Sequence, residues 1–368
     1  MMDRQDKLSN MQVLVLISST IMEVGVLSLP RFATERALVD GGLATFLAGM
    51  TAVVLTLLLT LLSYRFPQNT IVEFSGQLIG RIPAFFFVLI IIGYTIIVSG
   101  AILRVFADSL KILLLGNTPL EIIMVTMLVV VIYLIQNGIN SIAKICETFL
   151  PLIIAALGLV ILLNYQNVRP IELRPMLSKG ILSVLKGLPG LFMSFLGFEI
   201  VLFLLPFVKE VKPKKTIAFT TLGTTIPTII YTSLVFVAIG VYGVSTTIRL
   251  TYPTVSLAKN IRFPGDFAER FDIFFMIFWI LAAFTSLAVY YYLSVLATAR
   301  LFRLRNYRPF IFILLPAIYL LGILPQNLIQ IERLSQISSY MGIVVIGISL
   351  LLFLIALIRR KGGNHTSA

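Results

Sequence analysis

Ten apolar stretches, each close to the length needed to cross a bilayer, take up most of this 368-residue chain. A helix needs about 20 apolar residues to span the hydrocarbon core, because each residue advances it by only ~1.5 Å. The alternating ten-residue segments of a membrane β-barrel are missing from the sequence. We therefore predict an all-α integral membrane protein with ten transmembrane helices. The predicted spans are 11–33, 42–64, 83–106, 119–136, 145–164, 185–206, 216–242, 268–298, 309–325 and 336–358.

The composition agrees with this class. Hydrophobic residues make up 58% of the chain, charged residues only 12%, and the mean hydropathy is +1.01. A soluble domain carries about twice that charged fraction. The net charge of +13 is distributed in short basic clusters at the ends of the spans, which is typical of residues that orient helices beside anionic lipid. We therefore expect membrane lipid as a partner, and no nucleic acid.

The inventory of reactive side chains limits the chemistry. Cys146 is the only cysteine and His365 the only histidine, so an intramolecular disulfide, a metal cluster and histidine-based catalysis are excluded. The sequence shows no nucleophile–base pair and no cofactor motif. We expect a protein that is not an enzyme and that uses no cofactor and no metal.

Two of the predicted spans are interrupted at a similar depth by a glycine next to an acid. Gly25 follows Glu23 in the first span, and Gly197 precedes Glu199 in the sixth. A carboxylate near the bilayer centre costs about 2.5–3.5 kcal/mol on insertion scales, so it tends to mark a functional site. Glycine lets the helix open and expose backbone groups to a ligand. Paired interruptions of this kind predict a transporter-type binding site.

The two interruptions also indicate an internal symmetry. Each lies in the first span of a five-span half, and an odd number of spans per half forces the halves into opposite orientations. We therefore predict a 5+5 inverted repeat with broken first and sixth helices. The predicted units are a single membrane domain over 1–368, with repeats at 11–164 and 185–358 and a cytoplasmic tail at 359–368.

The loops predict the orientation. The short connections Lys209–Lys215 and Arg300–Arg308 carry four basic residues each, which places them inside together with both termini. The long connections 165–184 and 243–267 then lie outside. The second is expected to contain short helices broken by turns, since it reads Tyr252-Pro253-Thr254 and later Phe263-Pro264-Gly265.

Four motifs, in this order, carry a resemblance to a known family. They are Gly25-Val26-Leu27-Ser28-Leu29-Pro30-Arg31, Ser194-Phe195-Leu196-Gly197-Phe198-Glu199, Tyr252-Pro253-Thr254-Val255-Ser256-Leu257 and Glu269-Arg270-Phe271-Asp272. The chain resembles the B subunits of bacterial spore germinant receptors, which belong to the amino acid–polyamine–organocation superfamily and have a LeuT-type fold. The resemblance covers essentially the whole chain.

The resemblance implies a nutrient sensor in the inner membrane of the spore. Its expected partners are a small germinant, namely an amino acid or a related amine, an A subunit with membrane spans and soluble domains, and a lipoprotein C subunit. The germinant would occupy the pocket that a transporter uses for its substrate. A proton-coupled amino-acid or amine permease that acts alone is the alternative, and a membrane scaffold without a ligand is a third interpretation.

The expected site surrounds the two interruptions. The backbone amides of Gly25 and Val26 would begin a half-helix and favour a carboxylate, while residues 196–198 would form the opposite wall. The resemblance adds residues on the third and eighth spans. The predicted ligand-binding residues are Glu23, Val24, Gly25, Val26, Tyr94, Val98, Leu196, Gly197, Phe198, Glu199, Thr285, Ser286 and Tyr290.

The roles of the two acids stay open from the sequence. Many relatives have a small residue where this chain has Glu23, so a ligand carboxylate would be repelled unless Glu23 is protonated or pairs with a ligand amine. A contact with a cation, a proton site and a water-satisfied acid are the three interpretations of Glu23. Glu199 either caps the second interruption or takes part in ligand or ion binding, and Tyr94 and Tyr290 either pack or contact ligand.

Overall fold

A computed structural model of the chain describes residues 7–178, 180–209, 211–261 and 271–359. These residues are almost entirely helical, and a two-residue bridge between Leu8 and Val208 is the β-structure described among them. The α-helices are α1 Asn10–Ile21, α2 Leu29–Ala37, α3 Gly41–Tyr64, α4 Ile71–Ile79, α5 Arg81–Leu113, α6 Leu120–Ile135, α7 Gly138–Asn164, α8 Ile181–Phe192, α9 Val201–Leu204, α10 Pro213–Arg249, α11 Pro253–Lys259, α12 Phe271–Leu301, α13 Arg308–Ile323 and α14 Leu328–Ile358.

The all-α membrane class is confirmed. Among the described residues, helices lie in all ten predicted windows, and six stretches of helix are long and apolar enough to cross a membrane. A seventh candidate is the pair Val184–Phe195 and Phe198–Phe207, whose halves meet at 54°. Helices α1, α6 and α13 are apolar but shorter. The count of ten transmembrane helices therefore stays a prediction.

Short helices connect the long ones. The expected helix in the second long connection is confirmed as α11, which begins at Pro253 because proline fits the first turn of a helix. Helix α4 was not predicted; the Thr70 hydroxyl and the Glu73 carboxylate cap its first turn reciprocally. The turn Phe263-Pro264-Gly265, the pair Glu269-Arg270 and the tail beyond Arg359 lie outside the described residues.

The two basic loops and the N-terminal segment meet at one end of the bundle. The Leu8 amide donates to the Phe207 carbonyl at 2.6 Å, and the Lys209 amide donates to the Leu8 carbonyl at 2.9 Å. The Arg300 guanidinium lies 5.5 Å from the ring centre of Phe207 and bonds both Glu73 carboxylate oxygens at 3.0 and 3.1 Å. The loops that the charge pattern assigns to one side of the membrane thus share one end of the molecule.

Helices α3 and α10 pack closely along a stripe of small and hydroxyl-bearing residues. The hydroxyls of Thr56 and Thr224 are 2.8 Å apart, and Thr60 donates to Thr220 at 3.0 Å. Gly49 approaches Thr228 so closely that a Cβ at position 49 would lie 2.3 Å from the Thr228 methyl group. Small residues and interhelical hydrogen bonds hold helices together where lipid supplies no hydrophobic driving force.

A substitution of Gly49 tests this packing. We expect Gly49→Ala to lower the free energy of unfolding by ~1–3 kcal/mol, because the added methyl overpacks the contact with Thr228. Gly158→Ala on α7 is the matched control, since nothing lies within 4 Å of its Cβ position. Thermal unfolding of the purified proteins measures both effects. Equal midpoints for the two variants would contradict the close approach.

Candidate functional site

The first interruption separates α1 from α2. Helix α1 ends at Ile21, a 3-10 turn covers Val24–Leu27, and the chain becomes α-helical again at Leu29. Glu23 precedes the turn in an extended conformation, with φ −93° and ψ −160°. No atom lies within 4 Å of where a Gly25 Cβ would be, so the backbone there borders open space. The predicted break at Gly25 is therefore present.

Two of the carbonyl groups at the end of α1 accept hydrogen bonds from side chains of other helices. The Ser286 hydroxyl on α12 donates to the Ser19 carbonyl at 2.8 Å, and the Tyr231 hydroxyl on α10 donates to the Ile21 carbonyl at 2.7 Å. A helix end always leaves such carbonyls without intrahelical partners, and in an apolar medium each must find another. Two distant helices thus fix the position where α1 stops.

The 3-10 turn after α1 is tied down in the same way. The Thr254 hydroxyl at the start of α11 donates to the Val26 carbonyl at 2.7 Å. Thr254 belongs to the Tyr-Pro-Thr motif, so that motif helps hold the first interruption in place.

The second interruption lies directly against the end of α1. Gly197 separates the 3-10 turns Met193–Phe195 and Phe198–Ile200 and has a φ of +126°, which L-residues with a side chain rarely adopt. A Cβ on Gly197 would lie 2.9 Å from the Ile21 nitrogen and 2.9 Å from the Thr20 carbonyl carbon. The two interruptions therefore meet, as the sequence predicted, and Gly197 is required for the contact.

Glu199 is buried and accepts three hydrogen bonds. Its Oε1 accepts from the Tyr94 hydroxyl at 2.6 Å and from the Tyr290 hydroxyl at 3.0 Å. Its Oε2 accepts from the Gly197 amide at 2.7 Å. The carboxylate thereby links α5, α12 and the second interruption, which supports the capping role among the alternatives left open by the sequence.

The three consecutive tyrosines of α12 face different neighbours. Tyr290 packs edge-on against Tyr94, with ring centres 6.0 Å apart, and both rings reach Glu199. Tyr291 donates to the Ile311 carbonyl on α13, and Tyr292 packs edge-on against Tyr307. Consecutive residues of a helix point in different directions, so only one of the three tyrosines can face the interruptions.

Glu23 has a different environment from Glu199. Glu23 is partly buried, and its Oε2 is fully buried without a hydrogen-bond partner in the part of the chain that the structure describes. A buried carboxylate oxygen without a partner is costly, so it needs a proton, a cation or a water molecule. Of the two acids at the interruptions, Glu23 is thus the one with unused bonding capacity.

The space at the first interruption is small. A void of about 10 Å³ adjoins Met22 and Val26 and is closed on the other side by Trp279 and Ala282 of α12. That volume holds about one water molecule and no amino acid. A nutrient-sized ligand therefore enters this void only if α12 or the 3-10 turn moves.

The remaining predicted residues lie on α5, on α12 and on the two interruptions. Val98 is buried one turn after Tyr94 on α5, and Leu196 and Phe198 are buried on either side of Gly197. The Thr285 hydroxyl bonds the carbonyls of its own helix at Leu281 and Ala282. Val24 lies in the 3-10 turn. These residues therefore lie on the two interruptions or on α5 and α12, which both contact the first 3-10 turn.

The contacts of several residues that organise this region were not predicted from the sequence. Tyr231 had no distinguishing motif, because a lone aromatic residue on an apolar helix looks like any core residue. Arg31 of the Leu-Pro-Arg motif pairs with Glu332 on α14 and approaches Glu35 at 3.4 Å. A charged residue at the end of a span could have indicated such a pairing, but not its partner 301 residues away.

Gly197 and Gly25 offer a matched pair of substitutions. We expect Gly197→Ala to destabilise the protein strongly, because the methyl group would push the second interruption away from α1 and the backbone at φ +126° would be strained. Gly25→Ala should leave stability unchanged, since it points into open space. Yield and thermal midpoint of the purified variants measure the difference. Similar midpoints would show that the two interruptions do not meet.

The two tyrosines that share one oxygen of Glu199 should act together. We expect Tyr94→Phe alone, or Tyr290→Phe alone, to lower the free energy of unfolding by no more than ~1–3 kcal/mol, because the other hydroxyl still bonds Oε1. The double variant should lower the free energy of unfolding by more than the sum of the two single effects, since Oε1 then loses both tyrosine donors. A double-mutant cycle on thermal stability measures the excess. Strict additivity would argue against the shared acceptor.

Comparison with known proteins agrees with this geometry. Among solved structures, the fold is similar to MhsT in complex with L-phenylalanine (TM-score 0.68, 15% identity, 99% of this chain and 94% of that chain). It is also similar to Mhp1, a nucleobase-cation-symport-1 transporter with bromovinylhydantoin bound (TM-score 0.71, 13% identity, 96% and 79%). These neighbours are LeuT-fold transporters, so the expected fold is confirmed at that level.

Sequence relatives are more specific. Spore germination protein YndE of Bacillus subtilis is 28% identical over 97% of this chain and 98% of its own length. Spore germination protein B2 of the same organism is 27% identical over 98% of each chain, and GerLB of Bacillus cereus is 28% identical over 95% and 94%. A match to the family described as spore germination protein covers residues 7–331. The chain belongs to the spore germination protein family.

Proposed function

We propose that this protein is the membrane subunit of a spore germinant receptor that binds a small nutrient germinant where the two interruptions meet. The observation that carries the proposal is the buried Oε2 of Glu23, which has no hydrogen-bond partner among the described residues. Glu23 lies two positions before Gly25, where the backbone borders open space. Membership of the spore germination family supports the receptor role, and LeuT-fold neighbours support a small-molecule site.

The chemistry of the site favours an amino acid or a related amine. Glu199 already has three donors, so it offers little to a ligand. Glu23 has an oxygen without a donor, and an ammonium group would both neutralise it and donate a hydrogen bond. In this proposal, Glu23 binds the cationic group of the germinant.

The small void beside Met22 and Val26 supports a signalling role. A ligand larger than water has to displace the walls of the ~10 Å³ void, and one of these walls is α12. The ligand would then bind one conformation better than the other, which shifts the population towards the open form. Germination would follow when partner subunits respond to that shift.

The wider setting of the proposal follows the family. The expected partners are an A subunit with soluble domains and a lipoprotein C subunit, in the inner membrane of the spore. In this arrangement ten helices form a 5+5 inverted repeat, and both termini lie on the spore-core side together with the basic loops. The protein catalyses no chemical reaction in this scheme.

A proton-coupled permease that acts alone is the second candidate, and the transporter-like fold favours it. Reconstituted protein separates the two. Accumulation of a labelled amino acid in liposomes containing this chain alone would support the permease. Binding without accumulation would support the receptor.

Replacement of Glu23 tests the ligand assignment. In spores carrying Glu23→Gln, we expect the response to germinants with a cationic group to fall about tenfold or more in potency, since a charge-assisted hydrogen bond is lost. Glu121→Gln is the control, because Glu121 is exposed at the start of α6. Germination across a nutrient panel, with receptor abundance measured in parallel, gives the readout. An unchanged germinant spectrum at normal abundance would refute the role of Glu23.

A further inference from the structure

A second, larger cavity shares no lining residue with the void beside the first interruption. It has a volume of about 420 Å³ and is bounded by α5, α6, α7 and α12, with the α5–α6 connection closing one end. This volume falls within the range of ordinary ligand sites. The residues that line it carry no charge, and the Thr126 hydroxyl among them is already bonded to the Ile122 carbonyl at 2.7 Å. The cavity therefore suits an apolar molecule and not an amino acid.

The cavity opens sideways along α6. Ile123 and Met127 form its buried floor, whereas Ile122 and Val130 are exposed at 55% and 48%. Three of the four bounding helices, α5, α7 and α12, are candidate membrane spans, so this flank faces hydrocarbon. From Ile122 to Val130 the groove follows α6 for ~12 Å, which is close to the ~15 Å of one leaflet of the bilayer core.

The shape of the cavity limits what enters it. Helix α6 packs directly against α5, α7 and α12, so the cavity is an interstice inside a packed bundle. A helix of about 10 Å diameter enters only if those contacts separate. A single hydrocarbon chain is slender enough to enter between them. We propose that this cavity binds one acyl chain of a membrane phospholipid.

The bound chain would adjoin the candidate germinant site. Phe106 lines the cavity and stacks on Trp279, with ring centres 6.0 Å apart and planes 22° from parallel. Trp279 also closes the ~10 Å³ void beside Met22 and Val26. The Phe106–Trp279 stack is thus the wall between the acyl chain and the first interruption, and any outward movement of Trp279 on germinant binding pushes against the chain.

Trp279 also supplies the probe, because it is the only tryptophan in the chain and is 2% exposed. The full-length protein is placed in bilayers of phosphatidylglycerol whose acyl chains carry bromine, a quencher that acts over short distances. We expect Trp279 fluorescence to be quenched relative to the same lipid without bromine. An unquenched signal would overturn the proposal.

Filling variants identify the cavity as the source of the quenching. We expect Thr126→Phe to reduce quenching by about half, because the ring occupies the space of the chain. Ile122→Phe fills the mouth in the same way and covers the case in which Thr126→Phe folds poorly. The matched controls Val129→Phe and Val125→Phe lie on α6, are 60% and 48% exposed, and do not line the cavity.

In the two control variants, we expect Trp279 fluorescence to be quenched as strongly as in the unmodified protein. Circular dichroism and gel filtration verify the fold of each variant. Equal quenching in all four variants would mean that Trp279 senses only the lipid that surrounds the helices, and the proposal would be wrong. Because the readout needs no germinant, this result is independent of the proposed receptor function.

Discussion

The unpaired carbonyl groups at the end of α1 are the constraint on which the centre of this protein depends. A helix that stops inside an apolar bundle exposes polar groups that water cannot reach, so other helices have to satisfy them. Ser286 on α12 and Tyr231 on α10 do so at the end of α1, and Thr254 on α11 does so in the following turn. Three distant parts of the chain are thereby fixed around one break, which is what makes the break a defined site.

The same constraint separates the roles of the two acids. Glu199 has a structural role, since three donors from three parts of the chain bond its carboxylate. Glu23, on the opposite break, keeps an oxygen with no donor among the residues that the structure describes. Two carboxylates at similar positions in the sequence thus differ in what they can still bind. A polar network that is fully satisfied is rigid, whereas an unsatisfied group is where a ligand, a proton or water can change the energy.

Helix α12 links these features. It carries Ser286 and Tyr290, which hold the two breaks, and Trp279, which closes the small void. Its other side borders the larger apolar cavity through Ile280 and Leu281. Movement of this one helix therefore changes the first break and the cavity together. Such a coupling requires no long relay of side chains, because a single rigid element contacts both places.

The sequence by itself determined the membrane class, the places where two helices break and most residues around them. Hydrophobic length, glycine and intramembrane acids are local signals, and each has a local physical cause. The tertiary structure decided which acid is satisfied, because the donors to Glu199 come from Tyr94 and Tyr290, which are 105 and 91 residues away. It also decided that the void beside Met22 and Val26 is small and that α6 lines an apolar cavity. Both depend on how helices pack, and apolar helices that look alike in sequence do not reveal their neighbours.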